Sequence, residues 1–182
     1  GNHLLVRCFA VMSWEGERSK PSFIAGRITY QDTNLVVDPV TGFPREHAAI
    51  QHIQEITNHR QQTLIIGFSV NGFTELNRTR GRAYSDHLLK QFANTLLERF
   101  SWKMSFFRLD GVRFMAVLKP HCYGELPASL VEQIRDVAAA CFVDIGIQKE
   151  YLCSCATVDY PAEGLHTGNL IVSLIDLIRA GK

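Results

Sequence analysis

The chain has no apolar run long enough to cross a bilayer and no N-terminal signal peptide, so nothing in it reads as a spanning segment. It also lacks an excess of either charge. At a net charge of +1, with 20% charged and 46% hydrophobic residues, it carries neither the basic footprint of a nucleic-acid binder nor the composition of a disordered segment. The cysteines are few and odd in number (Cys8, Cys122, Cys141, Cys153, Cys155), which does not make a secreted disulfide framework and fits a reducing cytoplasm. Cys153 and Cys155, two apart on a strand, would point to one face. No second ligand pair with zinc-like spacing accompanies them or His121-Cys122, so no metal site is expected there. At 182 residues the chain can bury one core plus a short appendage. Gly1 reads as a tag remnant and the opening as mid-domain, the look of a fragment of a longer protein.

What is present begins with two stretches of strand composition, His3 to Met12 and Ser22 to Gln31, joined by turn chemistry at Glu15 to Pro21. This predicts an N-terminal hairpin over residues 1–33, and two strands alone must pack on something. Asp38-Pro39-Val40-Thr41-Gly42-Phe43-Pro44-Arg45 then punctuates a turn before a helix reaching about His59, with Ala49, Ile53 and Ile56 on one stripe. Thr63 to Phe68 is a short apolar strand of the kind covered on both faces. A turn region follows, with Ser69, Asn71, Asn77 and the basic run Arg78, Arg80, Arg82, the last expected as a solvated loop. A helix from about Tyr84 to Arg99 turns Leu88, Leu89, Phe92, Ala93, Leu96, Leu97 and Phe100 inward. Lys103 to Leu109 and Phe114 to Leu118 form a hairpin through Asp110-Gly111-Val112-Arg113. Ser129 to Phe142 is a helix with Leu130, Ile134, Val137, Ala138 and Cys141 inward. Glu150 to Val158 is a strand, and a last helix over about 168–180 carries Leu170, Leu174 and Leu177.

These motifs resemble a GGDEF domain, the bacterial diguanylate cyclase module, over about Asp38 to Lys182. Asp38 to Arg45 closely resembles the family's Asp-x-Leu-Thr-Gly-Leu-x-Asn-Arg opening. Tyr160-Pro161-Ala162-Glu163-Gly164 resembles its Tyr-Pro-x-Asp-Gly turn, and Arg108 stands two residues before the signature, as in the family. The resemblance implies an α+β fold, a ferredoxin-like, nucleotide-cyclase palm sandwich with a mostly antiparallel sheet covered by helices. The opening hairpin resembles the last strands of a PAS sensor domain, the alternative being a hairpin that decorates the main domain.

The same resemblance locates departures. Where the family has Asp-x-Asp-x-Phe, with a magnesium-binding first Asp, stand Ser69 and Asn71 ahead of Phe73. A hydroxyl and a neutral amide are poor ligands for a hard cation. The signature Gly-Gly-Asp-Glu-Phe falls on Asp110, Gly111, Val112, Arg113 and Phe114, so the metal-holding Glu becomes Arg113, a cation that repels metal. The guanine-reading Asn and Asp persist as Asn77 and Asp86, unless Asn77 is only a turn residue and Asp86 only a helix-start charge. Arg113 and Lys182 are the further nucleotide-binding candidates, as phosphate contacts, with a plain surface arginine the alternative for Arg113. The product-inhibition Arg-x-x-Asp would fall at Ser101 to Met104 and is absent.

The expected function is therefore a degenerate, catalytically inactive cytoplasmic signalling domain acting through protein contacts or GTP binding. Two alternatives stand: an active diguanylate cyclase making cyclic di-GMP from two GTP, with Asp110 helping to hold metal, and a purely structural dimerisation module. No catalytic residue, metal ligand or cofactor is expected, Mg²⁺ entering only with residual cyclase activity. The expected partners are GTP, other signalling domains or a GGDEF-like partner, a homodimer included, and no nucleic acid.

Overall fold

The computed structural model describes residues 6–11, 23–28, 37–161 and 167–180. The chain divides into two units, Gly1–Val36 and Val37–Lys182. In the first, β1 (Val6–Val11) and β2 (Phe23–Ile28) pair antiparallel, with Val6 opposite Ile28 and Val11 opposite Phe23.

The second unit runs α1 (Glu46–Asn58), β3 (Thr63–Val70), α2 (Phe73–Arg80), α3 (Arg82–Phe100), β4 (Met104–Asp110), β5 (Arg113–Leu118), α4 (Pro127–Cys141), α5 (Lys149–Leu152), β6 (Cys153–Tyr160) and α6 (Thr167–Ala180). Its four strands are ordered β4-β5-β3-β6 and every neighbouring pair is antiparallel, the α+β arrangement expected. β3 lies in the middle, and all eight of its residues are buried, as a continuous apolar strand requires when helices cover both faces.

Alternation along β3 divides the core. Leu64, Ile66, Phe68 and Val70 join Leu89, Phe92 and Leu96 of α3 and Leu130, Ile134 and Val137 of α4 in the main cluster. Phe68 and Phe114 stack there at 5.4 Å, and Phe92 meets each of them edge-on, at 6.2 and 5.9 Å. The other face takes α6. A Cβ on Gly67 would lie 2.5 Å from Leu174 Cγ and 2.8 Å from Ile178 Cδ1, so the absence of a side chain lets α6 sit directly on the central strand. Gly67→Ala is expected to overpack this contact at a cost of about 1–3 kcal/mol, visible as a lower urea midpoint with an unchanged slope.

The elements depart from the sequence expectation in four places. Residues 73–80, expected as turn and loop, form α2, so Asn77, Arg78 and Arg80 are helical and Arg82 opens α3, although all three arginines are exposed. Leu97 and Leu177 are 38% and 49% exposed. The apolar stripe on each helix is wider than the surface that covers it, and Ile178 takes the inward position on α6. Residues 149–152 make a short helix before β6 rather than its first residues. Its carbonyls are used elsewhere, since Leu152 accepts from the Asn71 amide at 2.8 Å. No helix among the described residues is long and apolar enough to cross a membrane.

Candidate functional site

The polar groups gather where β3 ends, beside the β4–β5 turn. Asp110 and Arg113 are backbone partners, so the hairpin closes through Gly111 and Val112, with Gly111 at φ 45°, a conformation glycine adopts without strain. Arg113 is opposite Ser69, and Ser69 is opposite Ser154. Directly opposed residues share a face. Asp110, Arg113, Ser69 and Ser154 therefore form one row across all four strands. Ser69 is 2% exposed. Val112 offers its carbonyl to the Val70 amide at 3.2 Å, and Phe114 is fully in the core.

Arg113 does not point into a vacant anion site. Its Nε donates to Asp110 Oδ1 at 2.5 Å and its Nη2 to Asp110 Oδ2, a bidentate pair across the turn. Asn71 is equally engaged, its Nδ2 donating to Tyr151 O at 2.7 Å and Ser154 Oγ at 2.8 Å. The donor set around Ser69 is thus one hydroxyl, one committed amide and one guanidinium. The carboxylate in the row, Asp110, already neutralises the guanidinium. This does not fit a hard divalent cation, which wants several free anionic oxygens. Among the described residues, no three His, Cys, Asp or Glu side chains are grouped to hold a metal ion.

Beside the row opens a cleft of about 210 Å³ lined by Asp38, Val40, Arg45, Arg82, Asp86, Arg108, Asp110 and Gly111. Its charges balance, three arginines against three aspartates. At its base Asp38, 5% exposed by side chain, accepts from Arg108 Nη1 at 2.5 Å, Arg45 Nη2 at 3.2 Å, and the Thr41 amide and hydroxyl at 2.8 Å each. Burial pushes this carboxyl up, but the hydrogen bonds from Thr41 and Arg108 outweigh it and hold Asp38 below the usual aspartate range. Arg108 in turn donates through Nε to Gly111 O at 2.8 Å, so one ion pair ties the Asp38 turn to the β4–β5 hairpin. Asp38 and Arg108 had only been family markers in the sequence. Their partnership spans 70 residues, and Asp38 preceding a Thr-Gly turn signals only its local bonds to Thr41.

The structure places the guanine-reading candidates on two helices. Asp86 lies in the second turn of α3, half-buried on the cleft, with Arg82 Nε 3.7 Å away. Asn77 lies on α2, joined to α3 through Gly81, and does not line the cleft. Its Oδ1 is buried with no hydrogen-bond partner among the described residues. An orphaned acceptor of this kind costs about 1–3 kcal/mol unless something donates to it. Lys182 lies outside the described residues. Ser101 to Met104, where the product-inhibition motif would fall, holds the buried Lys103, bonded to Glu125 at 3.0 Å and Gln133 at 3.2 Å.

Comparison with known proteins gives this arrangement a setting. The family model described as diguanylate cyclase, GGDEF domain, matches residues 35–173. No curated protein sequence matches. Among solved structures, the diguanylate cyclase SiaD of Pseudomonas aeruginosa, crystallised with its activator SiaC, is 18% identical with a TM-score of 0.64. The match covers 80% of this chain and 57% of SiaD. A sensory box/GGDEF family protein of Caulobacter crescentus CB15 is 18% identical, over 80% of this chain and 96% of its own, at 0.62. The coiled coil and GGDEF domain of Caulobacter crescentus DgcB, in complex with cyclic di-GMP, is 12% identical over 79% and 78%, also at 0.62.

Proposed function

The chain belongs to the diguanylate cyclase GGDEF family, and from that premise we propose that it is a catalytically inactive, regulatory member that binds GTP without turning it over and signals through protein contacts. The observation that carries this reading is the register pair Ser69 and Arg113. The two positions where the family resemblance implies metal-binding acids stand side by side and hold a buried hydroxyl and a guanidinium already paired with Asp110. Phosphoryl transfer depends on positioning and on neutralising charge, chiefly by metal, and this donor set supplies no metal.

Guanine binding rests on the other two family positions. The Asn77 side-chain amide can supply a donor to the guanine edge, and the Asp86 carboxylate can accept from N1 and the exocyclic amine. The Arg82 contact to Asp86 is long and solvent-facing, and exchanging it costs little. Arg113, released by Asp110, would meet phosphate oxygens in the place of a cation. The likeness to a cyclase crystallised with an activator protein supports a surface that works through partners. Without the Arg-x-x-Asp motif, cyclic di-GMP is not expected to bind at the Ser101 to Met104 stretch.

Thermal unfolding tests the reading, because a ligand of the folded state raises the midpoint by mass action. Millimolar GTP is expected to raise it equally with Mg²⁺ and with a chelator, and Asn77→Ala or Asp86→Ala is expected to abolish the shift. Incubation with GTP and Mg²⁺ or Mn²⁺ is expected to leave GTP intact. Appearance of cyclic di-GMP would refute inactivity, and an unshifted midpoint would refute GTP binding.

A further inference from the structure

The two cysteines of β6 are the group that the nucleotide reading leaves unused. Cys153 and Cys155 flank Ser154, lie on the face turned to α4, and hold their sulfurs 3.7 Å apart. Cys153 is fully buried and Cys155 half-buried. Arg135 of α4 reaches the same place, its Nε 3.4 Å from Cys153 O. Ser154, on the opposite face, accepts the Asn71 amide at 2.8 Å and is the backbone partner of Ser69.

We propose that Cys155 and Cys153 form a peroxide-responsive dithiol, Cys155 the attacking sulfur and Cys153 the resolving one, whose disulfide loosens the Asn71 turn at the candidate site. The two sulfurs are in contact at 3.7 Å, the Cys155 thiol also lies 3.7 Å from Cys153 O, and the Arg135 guanidinium lies alongside. The contact with Cys153 and the Arg135 guanidinium lower the Cys155 thiol, while the contact with Cys155 and burial raise Cys153. The division of roles follows from access as well, because the outer thiol meets solvent first.

The chemistry balances with a hydroperoxide as oxidant. The Cys155 thiolate attacks one peroxide oxygen. The S–O bond forms as the O–O bond breaks, and with hydrogen peroxide the departing hydroxide takes a proton and leaves as water. Cys155 is then a sulfenic acid. The Cys153 sulfur attacks Cys155, the S–S bond forms as the S–O bond breaks, and the second water leaves with the Cys153 proton. Two thiols and one peroxide become one disulfide and two waters.

Geometry supplies the consequence. The sulfurs must close from 3.7 Å to about 2.0 Å. Residues two apart on an extended strand are separated by about 6.6–6.8 Å at Cα, the upper end of what a disulfide spans and above its usual 5.5–6 Å. Bridging therefore bends β6 at Ser154, between the two residues it joins. Asn71 is held by Ser154 Oγ, inside the bridged stretch, and by Tyr151 O and, through its backbone amide, Leu152 O, which immediately precede it in α5. A bend there releases the turn that starts α2, the helix carrying Asn77. A strained bridge of this kind is readily reduced, as reversibility requires.

The test treats the reduced chain with hydrogen peroxide, then maps disulfides by mass spectrometry and follows amide hydrogen exchange. The expected result is loss of two hydrogens on the peptide holding Cys153 and Cys155, reversed by dithiothreitol. Exchange at Asn71 to Phe73 should rise several-fold while that of β4 and β5 is unchanged. Cys153→Ser, or Cys153→Ala if serine is not tolerated there, should accumulate a dimedone-trappable sulfenic acid on Cys155. Cys155→Ser should give neither product. A disulfide drawn from Cys122 or Cys141 instead, no disulfide at all, or a disulfide that leaves Asn71 exchange unchanged would overturn the proposal. None of these readouts requires nucleotide.

Discussion

Asp38→Ala is expected to remove about 3–5 kcal/mol of folding stability, the cost of leaving one member of a buried ion pair without its partner. Arg108 is 14% exposed, and without Asp38 its charge keeps, among the described residues, only the Gly111 carbonyl and the face of the Phe114 ring, 6.0 Å away. The Thr41 amide and hydroxyl lose their acceptor in the same step. Urea unfolding measures the loss, and a cycle with Arg108→Ala isolates the pairwise share. A cost for Asp38→Ala no larger than for an exposed aspartate would show the pair to be dispensable. The pH dependence has a definite sign. Asp38 has a folded value below its unfolded one, so its contribution is complete above the ordinary aspartate range and is lost as pH falls through the lowered value. Acid should therefore destabilise the native chain more than Asp38→Asn.

That ion pair marks the limit of what the chain shows before it folds. β3 and α3 are legible because their apolar residues repeat at strand and helix periods, and the β4–β5 turn because Asp-Gly between two apolar runs admits few alternatives. α2 is not legible. Only Phe73 and Leu76 of its eight residues are buried, and its basic, threonine-rich remainder is what a loop would contain. Its helicity comes from packing against α3 and from Gly81, which at φ 83° lets one helix end and the next begin. At the site, Ser69 and Arg113 were legible as departures, each from one position. That they are cross-strand partners, and that Asp110 answers Arg113 with both oxygens, needed the register. The orphaned state of Asn77 Oδ1 depends on every neighbour at once, and no local pattern announces it.

Ser69→Asp combined with Arg113→Glu is the converse test of the site. Both side chains enter one row beside Asp110, where Ser69 is 2% exposed. In chelator the variant is expected to lose several kcal/mol, roughly the cost of burying an unpaired charge and of stripping Asp110 of its guanidinium. Three carboxylates on adjacent strands are a fit ligand set for a hard cation. Added Mg²⁺ or Mn²⁺ should therefore recover stability, by about 2.7 kcal/mol at a hundred times the dissociation constant. The unaltered chain, with Arg113 held on Asp110, should show no such dependence in the same titration. Either single substitution should respond weakly, Ser69→Asp because Arg113 remains beside it and Arg113→Glu because Ser69 remains neutral. If the double variant ignores metal, the loss of metal binding does not reside in these two positions. If it responds, two substitutions separate a sheet end that holds a metal from one whose charges are balanced without it.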